Sequence, residues 1–229
     1  MTQSGRNQPD RHQPQQQPRP FGRADDAAVK DDQQRYVKLA LELGASGAVV
    51  VPAKAITVDE RVRLKCTVPR CQRAGETPNC PPHAPDLDLV RRAIARYKWA
   101  VLIKCDVGPV EEFAPGHGTT KAEQRRVLLY HQKGAEVVHA LERQAYKDGY
   151  HLAMGLGGGS CKDYLCQGLI CQFLDSGRCR FPLRSRPAIE AMGIDVVKLI
   201  NGAGWSSYAL LDDLGKVPCA ITVGLVFID

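Results

Sequence analysis

Seven of the nine cysteines fall into two short segments, and this grouping constrains the fold more than any other feature of the sequence. The first cysteine group is Cys66, Cys71 and Cys80, and the second cysteine group is Cys161, Cys166, Cys171 and Cys179. Both segments are polar and marked by glycine and proline. Several thiols in one such loop typically bind a metal centre, and the metal then fixes the shape of the loop. The sequence therefore predicts two metal-binding loops.

The composition is that of an ordinary globular protein with one core. The chain has 229 residues, of which 44% are hydrophobic and 24% are charged. No stretch approaches the ~20 apolar residues of a membrane span, and the N-terminus lacks the apolar segment of a secretory signal. We therefore expect a cytoplasmic protein that does not bind membranes, in which reducing conditions keep the cysteines as thiols or metal ligands.

The N-terminal segment differs in composition from the rest of the chain. Ten of the first twenty residues are Gln or Pro, and such a segment buries too little apolar surface to offset the entropy lost on ordering. We expect a disordered tail over residues 1–25 and one metal-binding domain over residues 26–229. The net charge of +6 is modest and the chain has no long Lys/Arg run, so a nucleic-acid partner is not expected.

Helices and strands alternate along the domain, which predicts a single α/β domain. We expect a small mixed sheet, flanked by helices and by the two cysteine-rich loops. Apolar residues at helical spacing and their flanking cap and stop residues predict helices over 26–43, 87–97, 119–147, 186–193 and 195–202. Short apolar runs predict strands over 48–51, 99–105, 150–154 and 220–228.

The second cysteine group provides a complete set of four thiolates. Zinc sites usually use C-x2-C pairs, and this chain has no such pair. The wider spacings suit a larger object, such as a [4Fe–4S] cluster. Nearby arginines, among them Arg180, would stabilise an anionic cluster, and Gly158 and Gly159 allow backbone N–H groups to approach the sulfurs. The pattern favours a [4Fe–4S] cluster, with zinc as the alternative.

The first cysteine group provides only three thiols. Arg70 and neighbouring basic residues again supply positive charge. The fourth ligand could be His83, Cys105 or a small molecule, and an iron left open could act as a Lewis acid. His83 could equally be a loop histidine that bonds to the backbone. For Cys105 and Cys219 we favour a buried position in the core.

Longer motifs around both groups resemble the DUF2284 family of predicted metal-binding proteins. The motifs are Arg61-Val-Arg-Leu-Lys-Cys66-x-x-Pro-Arg-Cys71, Cys80-Pro-Pro-His83-x-Pro85, Gly157-x-Gly-Ser-Cys161 and Cys179-Arg-x-Pro182-x-x-x-Arg186-Pro-x-x-Glu190-Ala-x-Gly193-Ile-Asp195-Val. The resemblance covers about residues 36–229. It implies an α/β protein of prokaryotic cytoplasm that carries iron–sulfur centres. Tighter C-x2-C-x2-C spacing occurs in the family, so the x4 spacing here leaves the cluster type open.

Together these observations favour an iron–sulfur protein with an electron-transfer or redox role and one or two [4Fe–4S] clusters. Such a protein needs a redox partner protein, and it could be an oxidoreductase or a redox accessory protein. The sequence singles out no catalytic residue. The alternatives are a zinc-stabilised interaction module and a carrier or assembly factor for metal clusters.

Overall fold

A four-stranded antiparallel sheet lies at the centre of the protein. The computed structural model describes residues 19–112, 120–209 and 214–229. The strands are β1 (Gly47–Pro52), β2 (Trp99–Val107), β3 (Met154–Leu156) and β4 (Ala220–Ile228), and they are arranged in the order β1-β2-β4-β3. The predicted single α/β domain is confirmed.

We expected a mixed sheet, but every strand pair in the described ranges is antiparallel. Alternation of helices and strands along a chain indicates parallel strands only where each helix crosses over between them. A connection of any length can also join antiparallel strands. The sequence pattern therefore predicts the class of the fold but not the strand directions.

Seven helices surround the sheet in the part of the chain that the structure describes. They are α1 (Asp26–Glu42), α2 (Glu60–Leu64), α3 (Leu87–Ile94), α4 (Lys121–Lys147), α5 (Cys161–Tyr164), α6 (Gln172–Ser176) and α7 (Val196–Gly202). The carboxylates of Asp86 and Asp195 accept backbone N–H bonds at the starts of α3 and α7, which is the usual role of an aspartate at a helix N-cap.

The two faces of the sheet pack against different elements. On one face, Tyr36 of α1 and Leu141 of α4 form a core with Val101 and Val226. The other face is covered by α3, by α7 and by a short segment at 189–194. This second layer contains a 3-10 turn at Glu190–Met192, and the turn packs against α2.

Two predicted elements are wrong. The strand over 150–154 is instead a turn, in which the Ala153 N–H bonds to the Tyr150 carbonyl, and strand pairing begins only at Met154. The helix over 186–193 is reduced to the 3-10 turn. Its first residues are extended because Gly157 exchanges backbone hydrogen bonds with Pro187 and Ile189. These tertiary contacts override the local helical pattern.

The described chain begins with a segment that packs on the domain. Arg19 forms an ion pair with Asp32 of α1, and the ring of Phe21 lies 5.2 Å from that of Tyr146. The predicted disordered tail lies outside the described residues for positions 1–18.

Candidate metal centre

All four thiols of the second cysteine group line one cavity, which we call the thiol cavity. Cys161 is the first residue of α5, and the Ser160 hydroxyl caps that helix by accepting the Lys162 N–H. Cys171 immediately precedes α6. The chain then reverses at Gly177, whose φ of +74° suits glycine, and so brings Cys179 back to the same cavity.

The remaining walls of the thiol cavity are apolar, basic or uncharged polar, the last from Thr77, Gln172 and Ser185. Leu165, Phe173 and Phe181 supply apolar side chains, and Lys162 and Arg180 supply positive charge. No Asp or Glu is found among the described residues that line it. The space amounts to about 350 Å³ when the open mouth is included. Because Lys162 is ion-paired with Glu76 at 3.1 Å, Arg180 is the lining cation that suits a group of anionic thiolates.

The thiols surround the cavity rather than meeting at one point. Within the three described ranges, no group of three or more His, Cys, Asp or Glu side chains is arranged to hold a single metal ion. The Cys179 sulfur accepts a hydrogen bond from the Phe181 N–H at 3.3 Å, and the Cys161 sulfur accepts one from Asn79 at 3.3 Å. Such N–H donors to sulfur stabilise thiolates.

The thiols of the first cysteine group lie in a series of tight turns. The Cys71 N–H bonds to the Cys66 carbonyl at 3.1 Å, and the Arg73 N–H approaches the Cys71 sulfur at 3.5 Å. Burial raises the pKa of the Cys66 thiol, and the neighbouring Cys71 and Cys80 raise it further. The three thiols are therefore close enough to interact, and a bound cation would reverse this repulsion.

The structure places Cys105 in the core and not in the loop of the first cysteine group, whereas His83 follows Cys80 by one turn, and its role as a fourth ligand stays a prediction. His83 is exposed, and its backbone N–H bonds to the Cys80 carbonyl. Cys105 is 3% exposed in the core between the sheet and helices α1 and α4, as we favoured from the sequence. Cys219 is different: it is half-buried and lines a separate cavity beside β4, so its expected place in the core is wrong.

The two cysteine loops are held together by side chains that sequence reasoning did not identify. Arg73 forms an ion pair with Asp163 at 2.6 Å, and Lys162 forms one with Glu76 at 3.1 Å. Asn79, which directly precedes Cys80, contributes its hydrogen bond to Cys161. The sequence marks Asn79 only by its position between Cys71 and Cys80, two candidate metal ligands.

Contact between the loops also brings the two cysteine groups close together. The Cys80 sulfur lies 3.8 Å from the Ser160 hydroxyl oxygen, next to Cys161. Cys80 and Cys161 are near enough that each thiol would feel the charge of the other. The two cysteine-rich loops are therefore in contact, although no thiol of the first cysteine group is among the described residues that line the thiol cavity.

Residues 49–228 match the sequence model of the family described as "Predicted metal-binding protein (DUF2284)". The chain belongs to this family. The match spans both cysteine groups, and it confirms the family resemblance of the sequence motifs. None of the curated proteins compared with the chain matches it, and none of the solved structures does.

In this DUF2284 protein, the other four predicted cofactor-binding residues have two different roles. Arg70 donates to the Ala74 carbonyl and Arg180 to the Ile170 carbonyl, so both arginines brace the cysteine loops. Gly158 and Gly159 lie against the ring of His131, where an added Cβ would come within 3.3 Å of ring atoms. They line the cavity beside β4 and not the thiol cavity.

The helices give no sign of a membrane-spanning segment. Across the parts of this DUF2284 protein that the structure describes, no helix combines the length and the apolar character needed to cross a bilayer.

Proposed function

We propose that this DUF2284 protein is an iron–sulfur protein that transfers electrons, with a [4Fe–4S] cluster bound by the second cysteine group. The observation that carries the proposal is that all four thiols line one cavity, with Arg180 beside them. Cysteine thiolates are the usual ligands of such clusters, and nearby hydrogen bonds and charges set the potential. When bound, the cluster would supply one-electron transfer.

The arrangement of the thiols favours a cluster over a zinc ion. Four thiolates on one zinc ion lie about 3.8 Å from each other, because each zinc–sulfur bond is about 2.3 Å long. No three of the described thiols are arranged around one point, which a four-thiolate zinc ion would require. The absence of C-x2-C pairs from the sequence supports the same choice.

We propose that the first cysteine group binds a second centre with an incomplete protein ligand set. Cys66, Cys71 and Cys80 would supply three thiolates. Since Cys105 belongs to the core, the fourth ligand would be either His83, which is exposed one turn after Cys80, or a small molecule. An iron without a protein ligand could bind a small molecule. The contacts between the two loops support electron passage between the two centres.

The surface around the thiol cavity is suited to a protein partner. It carries apolar side chains that are unusually exposed, including Ile170 at 77% and Leu183 at 82%. Arg178 and Arg184 are exposed and form no ion pair with the described part of the chain. Exposed apolar residues next to uncompensated positive charge favour a partner with acidic residues around its own redox centre.

The partner proposal predicts a salt-dependent reaction. Reduction by an acidic ferredoxin should slow as ionic strength rises, because salt screens attraction between exposed charges. Replacement of both Arg178 and Arg184 by serine should weaken that dependence, whereas Arg96→Ser, an exposed arginine after α3, should preserve it. Stopped-flow rates at several salt concentrations provide the measurement. Equal rates for the wild type and the double variant would contradict the proposal.

An iron, sulfide and zinc count on anaerobically purified protein tests the proposed function directly. We expect at least about four iron and four sulfide per chain, with a broad visible absorption that dithionite bleaches. Additional iron would point to a centre at the first cysteine group. A colourless protein with stoichiometric zinc would overturn the proposal and would support the zinc-stabilised interaction module instead.

A further inference from the structure

A second cavity, which we call the glutamate cavity, lies between α7, β4 and the glycine-rich loop at 157–160. It forms because β3 pairs only with residues 225–227 of β4. The first residues of β4 therefore have no strand beside them on this side in the described structure. The space is about 780 Å³ with its open mouth included.

The walls of the glutamate cavity are largely apolar. Val196, Val197 and Ile200 of α7 form one side, and Ile221 and Val223 of β4 form another. These side chains would pack against the hydrocarbon part of a ligand. The polar groups are few, and they are Glu190, His131, Ser207, Tyr208, Cys219 and Thr222.

The charge of the lining excludes anionic ligands. Glu190 is the one acidic side chain among the described lining residues, and no Lys or Arg joins it there. Glu190 lies at the open side of the cavity, where its side chain is exposed, and the protein around it raises the pKa of its carboxyl by desolvation. A carboxylate placed this way is stabilised by a bound cation and destabilised by a bound anion. Phosphates and carboxylates would meet repulsion and find no cationic side chain to bind them.

A metal cation fits this cavity less well than an organic cation. Glu190, His131 and Cys219 all line the space, yet no three such side chains in the described ranges are arranged to hold a metal ion. The apolar walls have no role in binding a bare ion, whereas they would bury the body of an organic ligand.

We infer that the glutamate cavity binds a small organic ammonium compound, with its nitrogen beside Glu190 and its apolar body against α7 and β4. The 3-10 turn that carries Glu190 packs against α2, the helix that leads to Cys66. The Glu190 carboxylate is also among the charges that act on the Cys66 thiol. A bound ammonium would therefore change the charge near the first cysteine group. The binding site itself does not depend on which metal the cysteines hold.

Three probes with the same ring and different charge test this inference. Benzylammonium, benzyl alcohol and benzoate are titrated into the purified, metal-loaded protein, and binding is followed by ligand-observed NMR. We expect benzylammonium to bind about fivefold more tightly than benzyl alcohol, because it adds an ion pair with the exposed Glu190 carboxylate, and benzoate not to bind. In Glu190→Gln, the affinity for benzylammonium should fall to that for benzyl alcohol.

Two further variants distinguish the cavity from the protein surface. Glu42→Gln removes the same charge from an exposed position on α1 and should leave all three affinities unchanged. Ser207→Trp should fill the cavity and abolish binding of both benzylammonium and the alcohol, which keeps the test valid if Glu190→Gln fails to fold. Binding of benzoate as tight as that of benzylammonium, or unchanged selectivity in Glu190→Gln, would overturn the inference. Iron and zinc counts on the same samples report separately on the proposed function.

Discussion

Replacement of Cys179 by serine should remove the metal bound by the second cysteine group. Cys179 is a half-buried thiol of the thiol cavity, and its sulfur already accepts a backbone hydrogen bond. No spare cysteine lines this cavity within the described structure, so no other thiol can take its place. A serine hydroxyl is a poor replacement because it stays protonated near neutral pH and binds iron or zinc much more weakly than a cysteine thiolate does. We expect a loss of about four iron per chain. The iron content and the visible absorption spectrum of anaerobically purified protein provide the measurement.

The loss of metal should also loosen the loop that carries the second group. Metal-binding loops gain much of their folding free energy from the metal, and the segment from 165 to 184 has little buried apolar surface of its own. Limited proteolysis should therefore cut the Cys179→Ser protein within this loop, while the sheet and α4 stay intact. Protection equal to that of the wild type would show that the loop folds without its metal.

Cys219→Ser provides the matched control for this experiment. Cys219 is half-buried like Cys179, but it lines the glutamate cavity. Its replacement should leave the iron, sulfide and spectrum unchanged. If Cys179→Ser retained the full metal content, or if Cys219→Ser lost it, the assignment of ligands would be wrong.

The grouping of the ligand candidates could be predicted from the sequence, whereas the contact between the two loops could not. Each cysteine group is local in the chain, so its spacing alone predicts a metal-binding loop. The Arg73–Asp163 ion pair joins residues 90 positions apart, and no local pattern marks such a pair. Arg73 is one of several basic residues in its loop, so the sequence does not indicate that it pairs with Asp163.

The glutamate cavity was equally hidden in the sequence. It depends on the short pairing of β3 with β4, and the sequence pattern predicted that strand at 150–154. A strand begins and ends where its backbone pairs with an adjacent strand, and the hydrophobicity of one segment does not fix that pairing. In contrast, β4 was predicted at its observed bounds because its nine residues are nearly all apolar. Strands buried on both faces have this uniform pattern.

Asp32 forms the centre of a charged network that fastens the N-terminal segment and α4 to α1. Its carboxylate accepts hydrogen bonds from Arg19 at 2.6 Å, Arg35 at 2.5 Å and Tyr150 at 2.8 Å. Asp32 is 2% exposed. Arg35 also reaches Asp148, the first residue after α4.

Replacement of Asp32 by asparagine should lower the free energy of unfolding by about 3 kcal/mol, because it leaves Arg19 without its counter-charge and Arg35 with Asp148 alone. This is the low end of the usual range for a broken buried pair, since Arg19 and Arg35 keep 26% and 31% of their side chains exposed and can regain some hydration. Denaturant unfolding at neutral pH provides the measurement. Asp31→Asn, an exposed aspartate on the same helix, should change stability by less than about 0.5 kcal/mol.

The pH dependence of the same pair of proteins separates a charge effect from a packing effect. Burial alone would raise the pKa of Asp32, but the hydrogen bonds from Arg19, Arg35 and Tyr150 outweigh it and lower the pKa. A carboxyl whose pKa is lower in the folded state stabilises the fold fully above its unfolded pKa of about 3.9. That contribution disappears as the pH falls through the folded pKa. The difference in stability between wild type and Asp32→Asn should therefore be constant from pH 7 to about pH 5 and should shrink below about pH 4. A difference that stays constant into that acidic range would mean that the asparagine acts through packing, and the network would not stabilise the fold by its charge.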